Sequence, residues 1–272
     1  MPRALACLVL LLSLAACRTG SDERPDAAVP TPEAAAEAML ARFEATIGQA
    51  DTIAVEAAGV EVIYTRREGA DDALDRFDIA ARPVEGREPA PEAQLLLNYL
   101  PNVPRLAQGL RTARFVRADR AEQRPVLVYE TDDAASMLDV APGTEAPAGV
   151  TIQIALDAET YDLRELTQIV RDTAYARPLV QRYRYEGFQE TDGLLLPTRV
   201  VQVEEGLNQA IPEAYRIRRG GELGFARQQL ERLPPAEREA QRATIDEELR
   251  FLNEGVSQMR LSIDRLRVAR RR

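Results

Sequence analysis

The side-chain types in this chain restrict the chemistry that it can perform. Its 272 residues contain no His, and all 35 basic side chains are Arg because Lys is absent. A Ser-His-Asp or Cys-His nucleophile requires an imidazole base, and a Schiff base requires an amine that can lose its proton, which Arg cannot do. Zinc sites normally use Cys and His. What remains is chemistry run by carboxylates alone, such as glycoside hydrolysis, or a calcium site built from oxygen atoms.

The 44 acidic residues show no spacing that singles out a catalytic pair or a cation site. We therefore predict a protein that is not an enzyme, with no catalytic residue, no metal ligand and no cofactor. The net charge of −9 argues against a nucleic-acid partner. No pattern in the sequence identifies ligand-binding residues.

Cys17 is the one side chain whose context predicts a reaction. Arg3 is followed by an apolar run from Ala4 to Leu14, and Ala15 and Ala16 lead into Cys17. This order resembles the lipobox of bacterial lipoproteins. The resemblance implies that residues 1–16 are a signal peptide, cleaved between Ala16 and Cys17, and that Cys17 is then lipidated. An ordinary signal peptide with an incidental Cys is the alternative.

The residue after Cys17 bears on where such a lipoprotein would reside. Arg18 stands at the position where an Asp retains lipoproteins at the inner membrane of well-known Gram-negative bacteria. The resemblance therefore implies a lipid anchor in the outer membrane, with the protein facing the periplasm.

A flexible tether and a helix are expected next. Residues 17–31 form the lipidated N-terminus and a polar segment with two Pro and no apolar period. Thr31-Pro32-Glu33 is typical of a helix start, with Thr as the N-cap and Pro at the first helical position. Apolar residues then recur at helical spacing to about Gln49, which predicts that one face of this helix is buried.

From Thr52 onward the apolar period changes to two, which predicts about eight to ten short antiparallel strands. The alternating runs are Val60–Tyr64, Phe77–Ile79, Val126–Thr131, Val150–Leu156, Tyr183–Tyr185 and Val201–Val203. Residues 92–110 interrupt this pattern with a dense apolar cluster that Pro101 ends. A helix that is apolar nearly all round must be buried on most sides, either as a core helix or as a lid over the concave side of the sheet.

The last fifty residues are expected to be helical. Gly220-Gly221 suggests a turn, Phe225–Leu233 a short helix, and residues from Ala236 to Arg270 a long helix after Pro234-Pro235. Within the long helix, apolar residues from Ile245 to Leu266 repeat in a 4-3 pattern that predicts a heptad seam. This seam could recruit a protein partner or pack along its own domain.

Three short motifs resemble the periplasmic lipoprotein-carrier superfamily of LolA, LolB and the RseB N-terminal domain. They are Asp157-x-x-Thr160 in a turn, Tyr183 and Tyr185 in a strand, and Asp192-Gly193 followed by Pro197. The resemblance implies an α+β fold: a curved antiparallel β half-barrel packed on helices over residues 32–221. The C-terminal long-helix extension of residues 222–272 is not part of the family pattern.

The resemblance also implies a function. A half-barrel of this family has an apolar concave side that accepts acyl chains, so we expect a membrane-anchored envelope lipoprotein that binds an acyl chain or a lipoprotein. One alternative is a structural or signalling lipoprotein whose Ile245–Leu266 helix recruits a partner. A lesser alternative is a glycan hydrolase that uses carboxylates alone.

Replacing Cys17 by Ser tests the lipobox directly. The thioether requires the thiol, so Cys17→Ser is expected to abolish acylation and to release the protein from the membrane fraction. Metabolic labelling with a palmitate analogue measures the first effect and fractionation the second. Cys7→Ser is the matched control and should remain acylated; equal acylation of Cys17→Ser would contradict the prediction.

Overall fold

The computed structural model describes residues 29–69, 76–137 and 149–270. The predicted signal peptide, Cys17 and most of the predicted tether lie outside these ranges. Met1–Thr31 and Pro32–Arg272 are two separate units, and the second contains all the elements below. Among the described residues, no helix has the length and apolarity needed to cross a bilayer.

The described residues form five α-helices, four 3₁₀ helices and thirteen strands. The α-helices are α1 (Pro32–Ala45), α2 (Val103–Leu110), α3 (Ala134–Met137), α4 (Glu213–Gln229) and α5 (Pro235–Glu254). The 3₁₀ helices are Ile47–Gln49, Pro91–Asn98, Leu207–Ala210 and Leu230–Arg232. The strands are β1 (Ala50–Ala57), β2 (Val60–Arg66), β3 (Phe77–Pro83), β4 (Arg114–Ala121), β5 (Arg124–Thr131), β6 (Val150–Asp157), β7 (Leu163–Val170), β8 (Leu179–Glu186), β9 (Gln189–Thr191), β10 (Leu194–Leu196), β11 (Arg199–Glu205), β12 (Ser257–Ser262) and β13 (Arg265–Arg270).

The strands form two large antiparallel sheets and one small hairpin. The first sheet has the order β13-β1-β2-β3, and the second has the order β12-β11-β8-β7-β6-β5-β4. Strands β9 and β10 pair only with each other. The sheets are open, since β3 and β4 lie at the ends of the described strand orders and expose most of their side chains. The α+β class with antiparallel sheets is therefore confirmed.

The consecutive strands β12 and β13 connect the two large sheets, because each belongs to a different one. Strand β12 pairs with β11, and β13 pairs with β1. In the turn between them, the Ile263 N–H donates to Thr198 O (3.0 Å) and the Asp264 N–H donates to Glu56 O (2.9 Å). One turn therefore bonds to both sheets and fixes their relative position.

Helix α1, the 3₁₀ helix Pro91–Asn98 and α2 lie in one hydrophobic core with both sheets. This core includes Met39 and Phe43 of α1, Leu95 and Leu96, and Leu106. It includes from the sheets Ile53, Val55, Val62, Tyr64, Ile152, Ile154, Tyr185, Val200 and Leu261. The predicted helix near residues 32–49 and the buried helical segment of residues 92–110, interrupted at Pro101, are both confirmed.

The predicted long helix to Arg270 is wrong, and with it the helical extension over residues 222–272 and the heptad seam Ile245–Leu266. Helix α5 ends at Glu254 because Gly255 adopts the left-handed conformation (φ 74°), and its N–H donates to Phe251 O. The chain then enters β12 and β13. From Met259 to Ile263 the apolar residues also alternate at a period of two, which is the pattern of a strand.

The turn predicted at Gly220-Gly221 is also wrong, because both residues lie inside α4. A glycine costs a helix about 1 kcal/mol relative to Ala but does not by itself end it. Helix α4 is held to α5 by Arg219, whose Nε and Nη2 donate to the two carboxylate oxygens of Glu248 at 2.6 and 2.9 Å. Leu223 is buried on the same helix.

Leu261 tests whether the C-terminal strands are integral to the core. Its side chain is 1% exposed and lies opposite Val200 in β11. Leu261→Ala is expected to lower the free energy of unfolding by about 2–5 kcal/mol, because it removes buried methyl groups and leaves a cavity. Urea denaturation measures this change.

Ile217→Ala on α4 is the matched control. Its side chain is 69% exposed, so the expected change is within about 0.5 kcal/mol. Equal effects of the two substitutions would contradict the integration of β12 into the core.

Candidate functional site

Three tyrosine hydroxyls hold the interior helical segment between the two sheets. Tyr64 on β2 donates to Leu96 O, and Tyr185 on β8 donates to Asn98 O at 3.2 Å. Tyr99, which follows the 3₁₀ helix, donates to Pro197 O at 2.7 Å. The segment Pro91–Asn98 is thus bonded to the four-stranded sheet through one tyrosine and to the seven-stranded sheet through another.

These hydroxyls remain protonated. Burial raises the pKa values of Tyr64, Tyr99 and Tyr185 well above the ordinary tyrosine value, because the phenolate would lose its hydration. Tyr64 raises the pKa of Tyr99 further through its proximity. The three groups therefore act as hydrogen-bond donors and not as acids.

A cavity of about 550 Å³ lies between this segment and the sheets. Its walls come from both sheets and from the helices. They include Phe43, Tyr64, Phe77, Ile79, Leu97, Leu100, Val103, Leu106, Met137, Leu166, Tyr183 and Tyr185. Ile79 is 51% exposed and Leu97 is 53% exposed, although both are large apolar residues. Apolar side chains are thus presented to an open space that nothing in the described chain fills.

Charged groups lie along part of the same cavity. Arg67, Arg76 and Arg105 are among its lining residues. The Arg67 N–H donates to Arg76 O at 3.0 Å, so these two residues face each other where β2 and β3 approach the cavity. Arg67 pairs with Asp78 (2.6 Å) and Arg76 with Glu44 (2.7 Å). The cavity therefore has a polar end and an aromatic and aliphatic remainder.

A second cavity of about 60 Å³ lies next to the large one. Met39 and Phe43 of α1, Tyr99 and Leu100, and Leu195 of β10 are among the residues that line it. It also reaches the turn between β6 and β7 through Tyr161, Asp162 and Leu163.

The turn beside the small cavity contains the first of the three sequence motifs, Asp157-x-x-Thr160, and the turn predicted there is confirmed. The Asp157 carboxylate accepts from the backbone N–H groups of Glu159 (3.0 Å) and Thr160 (3.1 Å). Arg164 donates to the same carboxylate at 2.9 and 3.2 Å and stacks on the ring of Phe188, 4.0 Å from its centroid. Burial opposes ionisation, but these donors outweigh it and hold the pKa of Asp157 below its ordinary value.

The other two motifs also lie at the cavities. Tyr183 and Tyr185 line the large cavity, and Pro197 lines the small one while accepting the Tyr99 hydroxyl. Gly193 has a φ of 76° in the turn that joins β9 to β10. The motifs quoted for the carrier resemblance therefore form turns and walls of this interior.

No pattern in the sequence identified a ligand-binding residue, and the residues that line the two cavities are the candidates. The sequence signal that points to these candidates is the dense apolar cluster of residues 92–110, because Leu97 and Leu100 belong to it and line the large cavity. Ile79 carried no such signal because it sits in an ordinary alternating strand. The three tyrosine contacts join residues 32 to 98 positions apart, so no local pattern could reveal them.

The arrangement suits binding of an apolar molecule. Within the described ranges, no group of three or more acidic or cysteine side chains is placed to hold a metal ion. Cys17 and Ala16 lie outside the described residues. The residues of the predicted seam Ile245–Leu266 are distributed over α5, β12 and β13, and they do not form one face.

No family model matches the sequence, and no curated protein matches it. Among solved structures, the chain is similar to the crystal structure of a LolA superfamily protein from Nitrosomonas europaea, with 12% identity and a TM-score of 0.32. The match covers 64% of this chain and 86% of that chain.

Tyr99→Phe tests the bonds that hold the interior segment. The substitution removes one hydroxyl and leaves the buried Pro197 carbonyl without that donor, so the free energy of unfolding should fall by about 1–3 kcal/mol. Tyr215→Phe on α4, where the side chain is 44% exposed, is the matched control and should change stability little. Chemical denaturation measures the free energy of unfolding of both variants. An unchanged free energy of unfolding in Tyr99→Phe would contradict the role of this hydrogen bond in holding the segment.

Proposed function

We propose that this protein binds an acyl chain, free or attached to a lipoprotein, in the large cavity, without catalysing a reaction on it. The observation that carries the proposal is the cavity of about 550 Å³ into which Ile79 and Leu97 expose their side chains. Its size falls within the roughly 300–1,000 Å³ typical of small-molecule sites. Burying an apolar chain against these side chains is favourable by about 0.8 kcal/mol per CH₂ group.

The architecture supports the same proposal. Two open antiparallel sheets joined by the consecutive strands β12 and β13 enclose helices and a hollow, and we infer that they form a half-barrel of the LolA and LolB type. A sheet interior that is not filled by its own side chains has unfavourable exposure of apolar groups to water. An apolar ligand would remove that exposure.

We propose further that the protein acts as a lipoprotein of the outer membrane, anchored through Cys17 and facing the periplasm. The support is the order Arg3, apolar run, Ala15-Ala16, Cys17, followed by Arg18. The tether of residues 17–31 spans at most about 50 Å when extended, which would allow the cavity to stand clear of the head groups.

Substitutions at the two exposed cavity residues test ligand binding with little risk to folding. Protein lacking its anchor (residues 18–272, which includes the compact unit from Pro32) would be purified, copurifying lipid identified by mass spectrometry, and palmitate affinity measured by calorimetry. Leu97→Asp and Ile79→Asp should each weaken palmitate binding at least about tenfold, because a carboxylate is costly to bury beside an apolar chain.

Phe225→Asp is the matched control. Phe225 is also a large apolar residue, 65% exposed, but it lies on α4 and does not line either cavity. It should leave palmitate affinity unchanged. Absence of copurifying lipid together with no palmitate binding by the unmodified protein would overturn the proposed function.

A further inference from the structure

The two cavities share one wall. Six residues line both of them: Phe43, Ile47, Leu100, Pro101, Val103 and Tyr185. Phe43, Val103 and Tyr185 are buried core residues, with exposures of 5%, 6% and 4%. The cavities are therefore adjacent compartments of one interior, divided by a layer of side chains.

Leu100 is one of the partly buried members of this wall, with Ile47 and Pro101. It lies in the irregular connection between the 3₁₀ helix Pro91–Asn98 and α2. The neighbouring Tyr99 is fixed by its hydroxyl bond to Pro197 O, whereas Leu100 is aliphatic and lines both cavities. A change of its side-chain rotamer would therefore alter the layer between the two cavities.

The polar groups at the small cavity already bond to other parts of the protein. Arg42 pairs with Asp162 at 3.1 Å, and the Thr46 hydroxyl donates to Arg42 O at 2.7 Å. Asp162 also accepts the Thr160 hydroxyl at 2.7 Å. The surfaces left for an occupant are therefore mainly those of Met39, Leu195 and other apolar side chains.

We propose that the ligand has a long unbranched apolar chain whose end passes Leu100 into the small cavity, so that Leu100 and the small cavity set the longest chain that is accommodated. This inference rests on the proposed function. The polar head of the ligand remains in the large cavity, where Asn98, Gln168 and the arginine-lined end offer polar contacts. The direction of the chain follows from this difference between the two compartments.

Leu195 and Leu100 allow the two compartments to be altered separately. Leu195 is partly buried and lines only the small cavity, so Leu195→Trp fills that cavity and leaves the large one intact. Leu100→Ala shortens a side chain that lies in the layer between the two cavities, and it is expected to make passage between them easier. Leu127→Trp is the matched control, because Leu127 is also partly buried but lines neither cavity.

The experiment measures the affinity of the anchorless protein for saturated fatty acids of about 8 to 18 carbons. In the unmodified protein each added CH₂ should tighten binding about fourfold until the chain fills both cavities, after which affinity levels off. Leu195→Trp should bind short chains as before and level off at a shorter chain. Leu100→Ala should bind chains at the upper end of the series more tightly than the unmodified protein.

The outcomes separate this inference from the function on which it rests. If fatty acids bind but Leu195→Trp changes all lengths equally, or changes none, the inference is overturned and the proposed function stands. If no fatty acid binds the unmodified protein, both are overturned. Circular dichroism of each variant identifies a loss of folding. If Leu195→Trp does not fold, Leu100→Ala, which only shortens a partly buried side chain, provides the test. Unchanged affinity of Leu100→Ala for the longest fatty acids would then overturn the inference.

Discussion

The interior of this protein depends on hydrogen bonds from buried tyrosines to the backbone of one helical segment. Tyr64 and Tyr185 reach that segment from opposite sheets, and Tyr99 bonds from the segment to Pro197. An unpaired buried carbonyl is costly, so these bonds oppose movement of the segment toward either sheet. The segment is thereby held between the two sheets, beside the large cavity that its residues Leu97 and Asn98 line.

The retained space has an energetic consequence. Large apolar side chains such as Ile79 and Leu97 stay more than half exposed, although closing the sheets over them would bury apolar area. An apolar ligand, as proposed above, would supply the missing contacts. Arg76, which pairs with Glu44, would give such a ligand a polar group at which its head could lie.

The C-terminal strands show how the two sheets are kept at the separation that the cavity requires. The turn between β12 and β13 bonds to Thr198 on one side and to Glu56 on the other. On β13, Arg267 pairs with Glu61 of β2, and Arg82 of β3 pairs with the same carboxylate; both arginines lower the pKa of Glu61 against the effect of its burial. Strands β12 and β13 thus each extend one of the two large sheets.

The sequence by itself determined the elements whose signals are local: α1 with its apolar face, the alternating strands, the turn capped by Asp157, the absence of His and Lys, and the lipobox resemblance at Cys17. Tertiary structure alone decided the rest. Apolar spacing between Met259 and Leu266 fits a helix or a strand, and only pairing with β11 and β1 selected the strands. The cavity walls likewise combine residues that are far apart in the chain. A cavity exists where side chains from different elements fail to touch, and no local sequence pattern reports that.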